Sequence, residues 1–501
     1  MTARTTVVRD APTPRRRLIV TMVALIAGQL IASLNATLVT AALPAIILDL
    51  DATTVQGTWL ITIAVISMAV AAPIWGRLGD QINPVFLLRI ALAGILVAAI
   101  IAATAQDPIV LLVSRAVHAL SLSGVMALTM ILFALLVSPR ERGKYMGWMS
   151  AVSALGMMGG PFLGGLIVES PLGWRGVFAI AVPLALLILV LLQFSGAIQR
   201  DAPVNRARID FVGGGLIAAG VASVLVYISF RGSAFEATSF TGLSLLGAGI
   251  VALIVALVVE LRHENPILPI RALRGRVPRL AAIAVLSVGM TGFPLALFIT
   301  LYLQSGRGLR PSEAGLILAA SAVGSVLSSF LVGNLATRTG RLRPLLIVGG
   351  TVLVAGSTLL SLVHPDTAVW WLALVLFISG IGQGMTQHFT VLAAQNAVPL
   401  NEVGRITGFM SFLQTLGGAV LMSVLGGVLQ LRLVDLTDQG MSLPDAYATT
   451  IPQFFPVTVL FAAIALSCYV LLPAIRLRST IDTPAGAPEE GEAGHPEEAR
   501  P

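Results

Sequence analysis

Fourteen stretches of 18 or more mostly apolar residues run along this chain, beginning near Leu18, Val55, Val85, Pro108, Tyr145, Trp174, Phe211, Thr241, Leu280, Ser312, Pro344, Thr367, Arg405 and Gln453. About 20 residues, rising about 1.5 Å each, cross a hydrocarbon core of about 30 Å, so every stretch is a candidate membrane-spanning helix. The composition supplies enough material. Of 501 residues, 56% are hydrophobic and 11% charged, against about 25% charged in an average soluble domain. A soluble enzyme is excluded. The 49 glycines suit bundled helices that approach closely. Arg15, Arg16 and Arg17 precede the first stretch, but its apolar run is longer than a signal-peptide core and no small-residue cleavage site follows, so it reads as a retained span. The single cysteine, Cys468, rules out an intramolecular disulfide.

The basic residues orient the chain. Fourteen spans put both termini on one side, and 25 of the 31 Lys and Arg residues then fall on that side, among them Arg140, Arg142, Lys144, Arg274 and Arg276. Only five (Arg175, Arg231, Arg307, Arg310 and Arg432) fall on the other. The positive-inside rule therefore predicts an inner (plasma) membrane protein with both termini cytoplasmic. The +7 formal charge belongs to these loops and gives no reason to invoke nucleic acid. One basic residue, Arg115, is left inside a predicted helix.

An internal repeat divides the chain. Glu141 to Ser150 reads ERGKYMGWMS and Glu402 to Ser411 reads EVGRITGFMS, five of ten positions being identical at an offset of 261. Both copies start from the same side of the membrane, which makes the repeat parallel. The expected organisation is an N-terminal tail (1–17), a six-helix bundle (18–195), a linker carrying two extra helices (196–279), a second six-helix bundle (280–476) and a disordered cytoplasmic tail (477–501) rich in Pro, Gly and Glu.

In the fifth span, Gly156 to Gly165 reads GMMGGPFLGG, placing Gly156, Gly160 and Gly164 on one face beside Pro161 and Gly165. Ordinary small-residue packing would account for such a stripe. The arrangement G-x-x-x-G-P-x-x-G-G also resembles the antiporter motif of drug exporters of the major facilitator superfamily. The loop Gly76-Arg77-Leu78-Gly79-Asp80 resembles that superfamily's G-x-L-x-D-R-x-G-R-R signature, keeping Gly76, Leu78 and Asp80. The copy at Gly333 to Arg341 keeps the basic part and lacks the acid. In the family this loop latches the inner helix ends, and the resemblance makes Arg142 the expected partner of Asp80. Leu34-Asn35-Ala36-Thr37 to Pro44 resembles the first-span L-D-x-T-I-V-N-V-A-L-P of the fourteen-span drug:proton antiporter branch, with Asn35 where that branch carries Asp.

Span four carries Ser114-Arg115-Ala116-Val117-His118-Ala119, similar to the family's R-x-x-Q-G with His118 in place of Gln. An embedded Arg faces a bundle interior or a wet cavity, because lipid would penalise it heavily. None of the 24 acids lies mid-span. Proton-coupling candidates therefore reduce to His118, Arg115, Glu169 and His388, with Glu313 weaker still. Gln383 and Gln387 share a face of span twelve, as Gln29 and Ser33 do in span one. With Asn35 and Gln414 they are candidates for a polar lining in an apolar-walled cavity, or they satisfy one another between helices.

No Walker lysine motif, G-x-S-x-G, H-E-x-x-H or Cys/His cluster is present, so neither cofactor nor metal nor enzymatic activity is expected. The chain reads as an all-α polytopic membrane protein that resembles fourteen-helix major facilitator exporters: two six-helix bundles plus two inserted helices. The resemblance implies a monomer in the lipid bilayer whose bundles rock about a central site. Inward proton flow would drive outward movement of a small amphipathic substrate, a drug or antibiotic. Arg115 without an embedded carboxylate favours neutral or anionic substrates over strongly cationic ones. The alternatives are an uncoupled or narrow-specificity metabolite exporter and, remotely, a membrane-embedded transferase using Asp49 and Asp51.

Overall fold

The computed structural model describes residues 15–194, 210–230, 235–236, 238–263 and 266–478. Within them lie sixteen α-helices and no sheet. The first seven are α1 (Arg15–Asp49), α2 (Thr54–Gln81), α3 (Pro84–Ala103), α4 (Pro108–Leu136), α5 (Pro139–Glu169), α6 (Gly173–Ala179) and α7 (Ala181–Phe194). Two follow alone, α8 (Phe211–Phe230) and α9 (Phe240–Arg262). The last seven are α10 (Arg276–Leu301), α11 (Pro311–Thr339), α12 (Arg343–Ser361), α13 (Val369–Asn396), α14 (Val403–Asp438), α15 (Leu443–Thr450) and α16 (Phe455–Leu471).

Local chemistry sets several of these starts. Asn83, Asp107 and Ser138 each precede a proline, and each side chain accepts hydrogen bonds from the free N–H groups of the first turn. Proline at the first helical position gives up a donor that has no intrahelical partner anyway. Among the described residues thirteen segments are long and apolar enough to span a bilayer. Helix α5, with 31 residues, has the length of a fourteenth. The sixth span is broken into α6 and α7 at Ile180, because Pro183 has no N–H to offer the carbonyl of Ala179. The ninth span ends in a π-helical turn, Tyr302–Gly306.

Large aliphatic side chains such as Val97, Ile101, Leu187, Ile254, Leu261, Leu327 and Leu331 are exposed on the helix exteriors, the pattern of helices solvated by lipid. Helices α1–α7 pack among themselves, as do α10–α16. The halves meet through α5 against α11 and α2 against α14. Helix α8 lies along α2 and α14, with Trp59 stacked on Phe230 at 4.5 Å, and α9 packs on α8. The expected N-terminal tail up to residue 14 lies outside the described residues, as does the tail beyond residue 478. Residues 475–478 are fixed: Leu477 donates to the Gly340 carbonyl, and Asn396 holds the Arg476 carbonyl and the Arg478 N–H.

Candidate functional site

The two cross-half seams are built from the repeated sequence. At one, Gly404 and Gly408 of α14 lie on α2, and a Cβ on Gly76 would come within 2.8 Å of the Gly408 Cα. At the other, their repeat mates Gly143 and Gly147 of α5 lie on α11, where a Cβ on Gly143 would meet the Gly333 carbonyl oxygen at 2.9 Å. Backbone touches backbone at both seams, which only glycine permits. Both sit at the basic end of the molecule.

Polar contacts lock this end with opposite polarity at the two seams. Asp80 of α2 accepts hydrogen bonds from the backbone N–H groups of Gly404 (2.7 Å) and Arg405 (2.8 Å), which begin α14. A carboxylate at a helix N-terminus is favoured by the free N–H groups and the helix dipole. Arg140 of α5 donates to the carbonyls of Thr337 (3.0 Å) and Arg338 (3.1 Å), which end α11. There a cation meets the negative end of a helix. At the seam whose loop lacks the acid, a base on the facing helix of the other half makes the contact instead.

The expected Asp80–Arg142 pair does not form. Arg142, 1% exposed, instead donates to the carbonyl of Ala134 in the last turn of α4 (2.8 Å), to that of Val137 just beyond it (2.9 Å), and to Gln395 of α13 at 3.2 Å. Gln395 in turn donates to Thr407 of α14. The cation closest to Asp80 is Arg405, at 3.9 Å. Free backbone N–H groups satisfy Asp80 so completely that it needs no arginine fork. Asp80→Asn should therefore weaken the seam by about 1–2 kcal/mol without unfolding either half, and a wider separation between labels on α2 and α14, at a nearly unchanged thermal midpoint, would register it.

Deeper in the bundle Ser150 Oγ lies 2.9 Å from His388 Nδ1, joining α5 to α13 across the halves. Arg115 and His118 lie within the first half. Each is almost fully buried, and Arg115 Nε and Nη1 and both His118 ring nitrogens have no partner among the described residues. Glu169 is exposed at the end of α5, and Glu313 caps the start of α11 by accepting from the Arg310 N–H. At the end opposite the basic one, Asp49 accepts from the Trp174 indole (2.9 Å) and Arg175 (2.7 Å), which hold its carboxyl below the usual carboxylate range. Asp49 is thereby a clamp between α1 and α6. A lowered carboxyl stabilises the fold above its ordinary pKa and loses that contribution as pH falls through the lowered value. Asp49→Asn should lower the thermal midpoint slightly at neutral pH and leave it unchanged in strong acid, as unfolding in detergent across pH would register.

A family profile described as Major Facilitator Superfamily matches residues 25–422. The chain belongs to the major facilitator superfamily. Among its relatives, the multidrug transporter protein MdtP of Bacillus subtilis is 26% identical over 428 residues, covering 85% of this chain and 77% of that protein. The puromycin resistance protein pur8 of Streptomyces alboniger is 29% identical over 506 residues, covering 98% of this chain and 96% of that one. A crystal structure of the human organic anion transporter MFSD10 (TETRAN) superposes with a TM-score of 0.61 over 90% of this chain and all of the other, at 16% identity, which establishes the fold.

In this major facilitator protein the glycine stripe of α5 packs on α1, inside one half. A Cβ on Gly156 would lie 2.9 Å from the Leu34 nitrogen, and one on Gly160 would lie 2.9 Å from Thr37 Cβ. Gly164 is buried, Gly165 has open space where a Cβ would be, and the side chain of Pro161 is outside the described set. Gln29 donates to Ser153 at 2.9 Å, and the Asn35 amide is tied to the Ile31 carbonyl of its own helix. Gln383 sits against Gly292 of α10, Gln387 is half-buried, and the Gln414 backbone abuts Gly289. Among the described residues no hydrogen bond joins Gln29 or Asn35 to Gln383, Gln387 or Gln414. Sequence reasoning missed Gly143, Gly147, Gly404, Gly408, Ser150 and Gln395. The first four were visible in the repeat, whose identical positions include both glycine pairs.

Proposed function

We propose that this protein is an efflux transporter of the plasma membrane that exchanges protons for amphipathic small molecules by alternating access. The observation that carries the reading is the basic end: two glycine seams and a few polar latches hold the halves together there, each able to part without breaking a helix. Positive-inside orientation makes this the cytoplasmic end. Closure there, with the halves free to part at the opposite end, is the arrangement that releases substrate outward. The names of MdtP and pur8 support a drug-like substrate.

In this reading Gln29, Asn35, Gln383, Gln387 and Gln414 line the substrate path from the two halves. Protons act through the histidines, His118 beside Arg115 in the first half and His388 at the Ser150 link, with Glu169 at the outer mouth. His388 bonds across the halves only while the cytoplasmic end is closed, so a proton that disturbs the Ser150 link favours opening. The test is proton release from proteoliposomes holding an acid interior, challenged with neutral, anionic and cationic amphipathic compounds. Compound-triggered release, reduced in His388→Gln, is expected. Substrate movement that ignores the imposed pH gradient would instead support an uncoupled exporter, the reading that the neutral, backbone-bonded Asn35 favours.

A further inference from the structure

Four buried nitrogens at one level of the first half have no hydrogen-bond partner among the described residues. They are Nε and Nη1 of Arg115 and both ring nitrogens of His118, on residues 4% and 1% exposed. Every ion pair among the described residues belongs to another arginine, Arg175 or Arg405, so Arg115 has no counter-charge. Arg115 and His118 are three apart and share a face of α4. The Phe178 ring of α6 lies 6.5 Å from the His118 ring, and Leu38, Leu60 and Leu111 belong to the same apolar cluster as Phe178.

The packing register shows what stands opposite. Gly28 of α1 faces Val125 and Thr129 of α4, a Cβ there lying 3.3 Å from Val125 Cγ1. The first and fourth spans run in opposite directions. Seven residues are about two helical turns and preserve the face, so stepping seven outward along α1 leads from Gly28 to Asn35 while stepping seven back along α4 leads from Val125 to His118. The register thus places Asn35 of α1 at the level of Arg115 and His118 on α4. Its Nδ2 is committed to the Ile31 carbonyl at 2.9 Å, and the side chain is neutral.

We propose that Arg115 and His118 form the binding site for a carboxylate group of an anionic amphipathic substrate. An arginine always carries its proton and offers only donors, and a neutral imidazole adds one more N–H, so the site presents donors around one uncompensated positive charge. One negative charge neutralises it, and a cation is repelled. The apolar cluster suits the hydrocarbon body next to such a carboxylate. The inference rests on the exporter reading and specifies its substrate class.

The test is thermal unfolding of the purified full-length protein in detergent, followed by tryptophan fluorescence, with matched pairs of amphipathic carboxylates and their methyl esters and with acetate alone. Carboxylates are expected to raise the midpoint in a concentration-dependent way, with esters and acetate without effect at the same concentration. Asn35→Asp places a carboxylate at the site from the protein itself and is expected to weaken carboxylate binding at least about tenfold. Arg115→Gln should do the same, and Asn35→Asp, nearly isosteric, serves if Arg115→Gln does not fold. Equal binding of acid and ester, an acetate effect as large as that of the amphipathic acid, or an Asn35→Asp protein that still prefers the acid would each overturn the assignment. Absence of export by the wild-type protein, with carboxylate binding intact, would count against the exporter reading alone.

Discussion

Gly408→Leu is expected to abolish export while leaving the protein folded in the membrane. A Cβ on Gly408 would lie 2.5 Å from the Ala72 carbonyl oxygen and 2.9 Å from the Gly76 Cα, so a leucine there runs into the backbone of α2. Overpacking a tight contact costs about 1–3 kcal/mol, and backbone neighbours that cannot rotate away place this site at the upper end. Because the contact lies between the halves, the cost falls only on the arrangement in which the basic end is closed. About 2.7 kcal/mol shifts that equilibrium about a hundredfold. Export should fall by a similar factor, while the thermal midpoint changes little. A variant that transports normally would show that closure at Gly408 is not part of the cycle.

Gly160→Leu should fail for a different reason. Its neighbours, Thr37 Cβ at 2.9 Å and the Leu34 carbonyl oxygen at 3.2 Å, belong to the same half. The substitution raises the apolarity of span five, so membrane insertion is unaffected. The α1–α5 contact is forced apart, at a cost of about 1–3 kcal/mol to the half itself. Lost export together with a lowered thermal midpoint is the expected pair of results, and the midpoint separates this variant from Gly408→Leu. Full activity would show that the stripe is not a working interface.

The spans were legible because a bilayer imposes one requirement, an apolar run of fixed length, that composition alone satisfies. The break at Ile180 is also written locally, in Pro183. The loop signature pointed to Asp80 as a latch, but not to its partner: pairing charges by sign suggested Arg142, whereas α14 offers Asp80 two backbone N–H groups that no side-chain pattern announces. Arg142 is drawn the other way for the same reason, to carbonyls at and just beyond the end of α4. The repeat was read as evidence of two halves, yet its identical glycines are the surfaces on which the halves meet. Glu169 shows the opposite limit, since a hydropathy pattern does not distinguish an acid near a span end from one exposed at its tip.

Whether the basic end opens and closes is measured most directly as a distance. Spin labels at Lys144→Cys and Arg341→Cys, exposed residues on opposite halves, in a Cys468→Ser background would report it in lipid nanodiscs. A short distance at rest, with a second, longer one populated by acid pH or by a transported compound, is the predicted result, and Gly408→Leu should show mainly the longer. A single short distance under every condition, from protein shown to transport, would contradict a gate at this end.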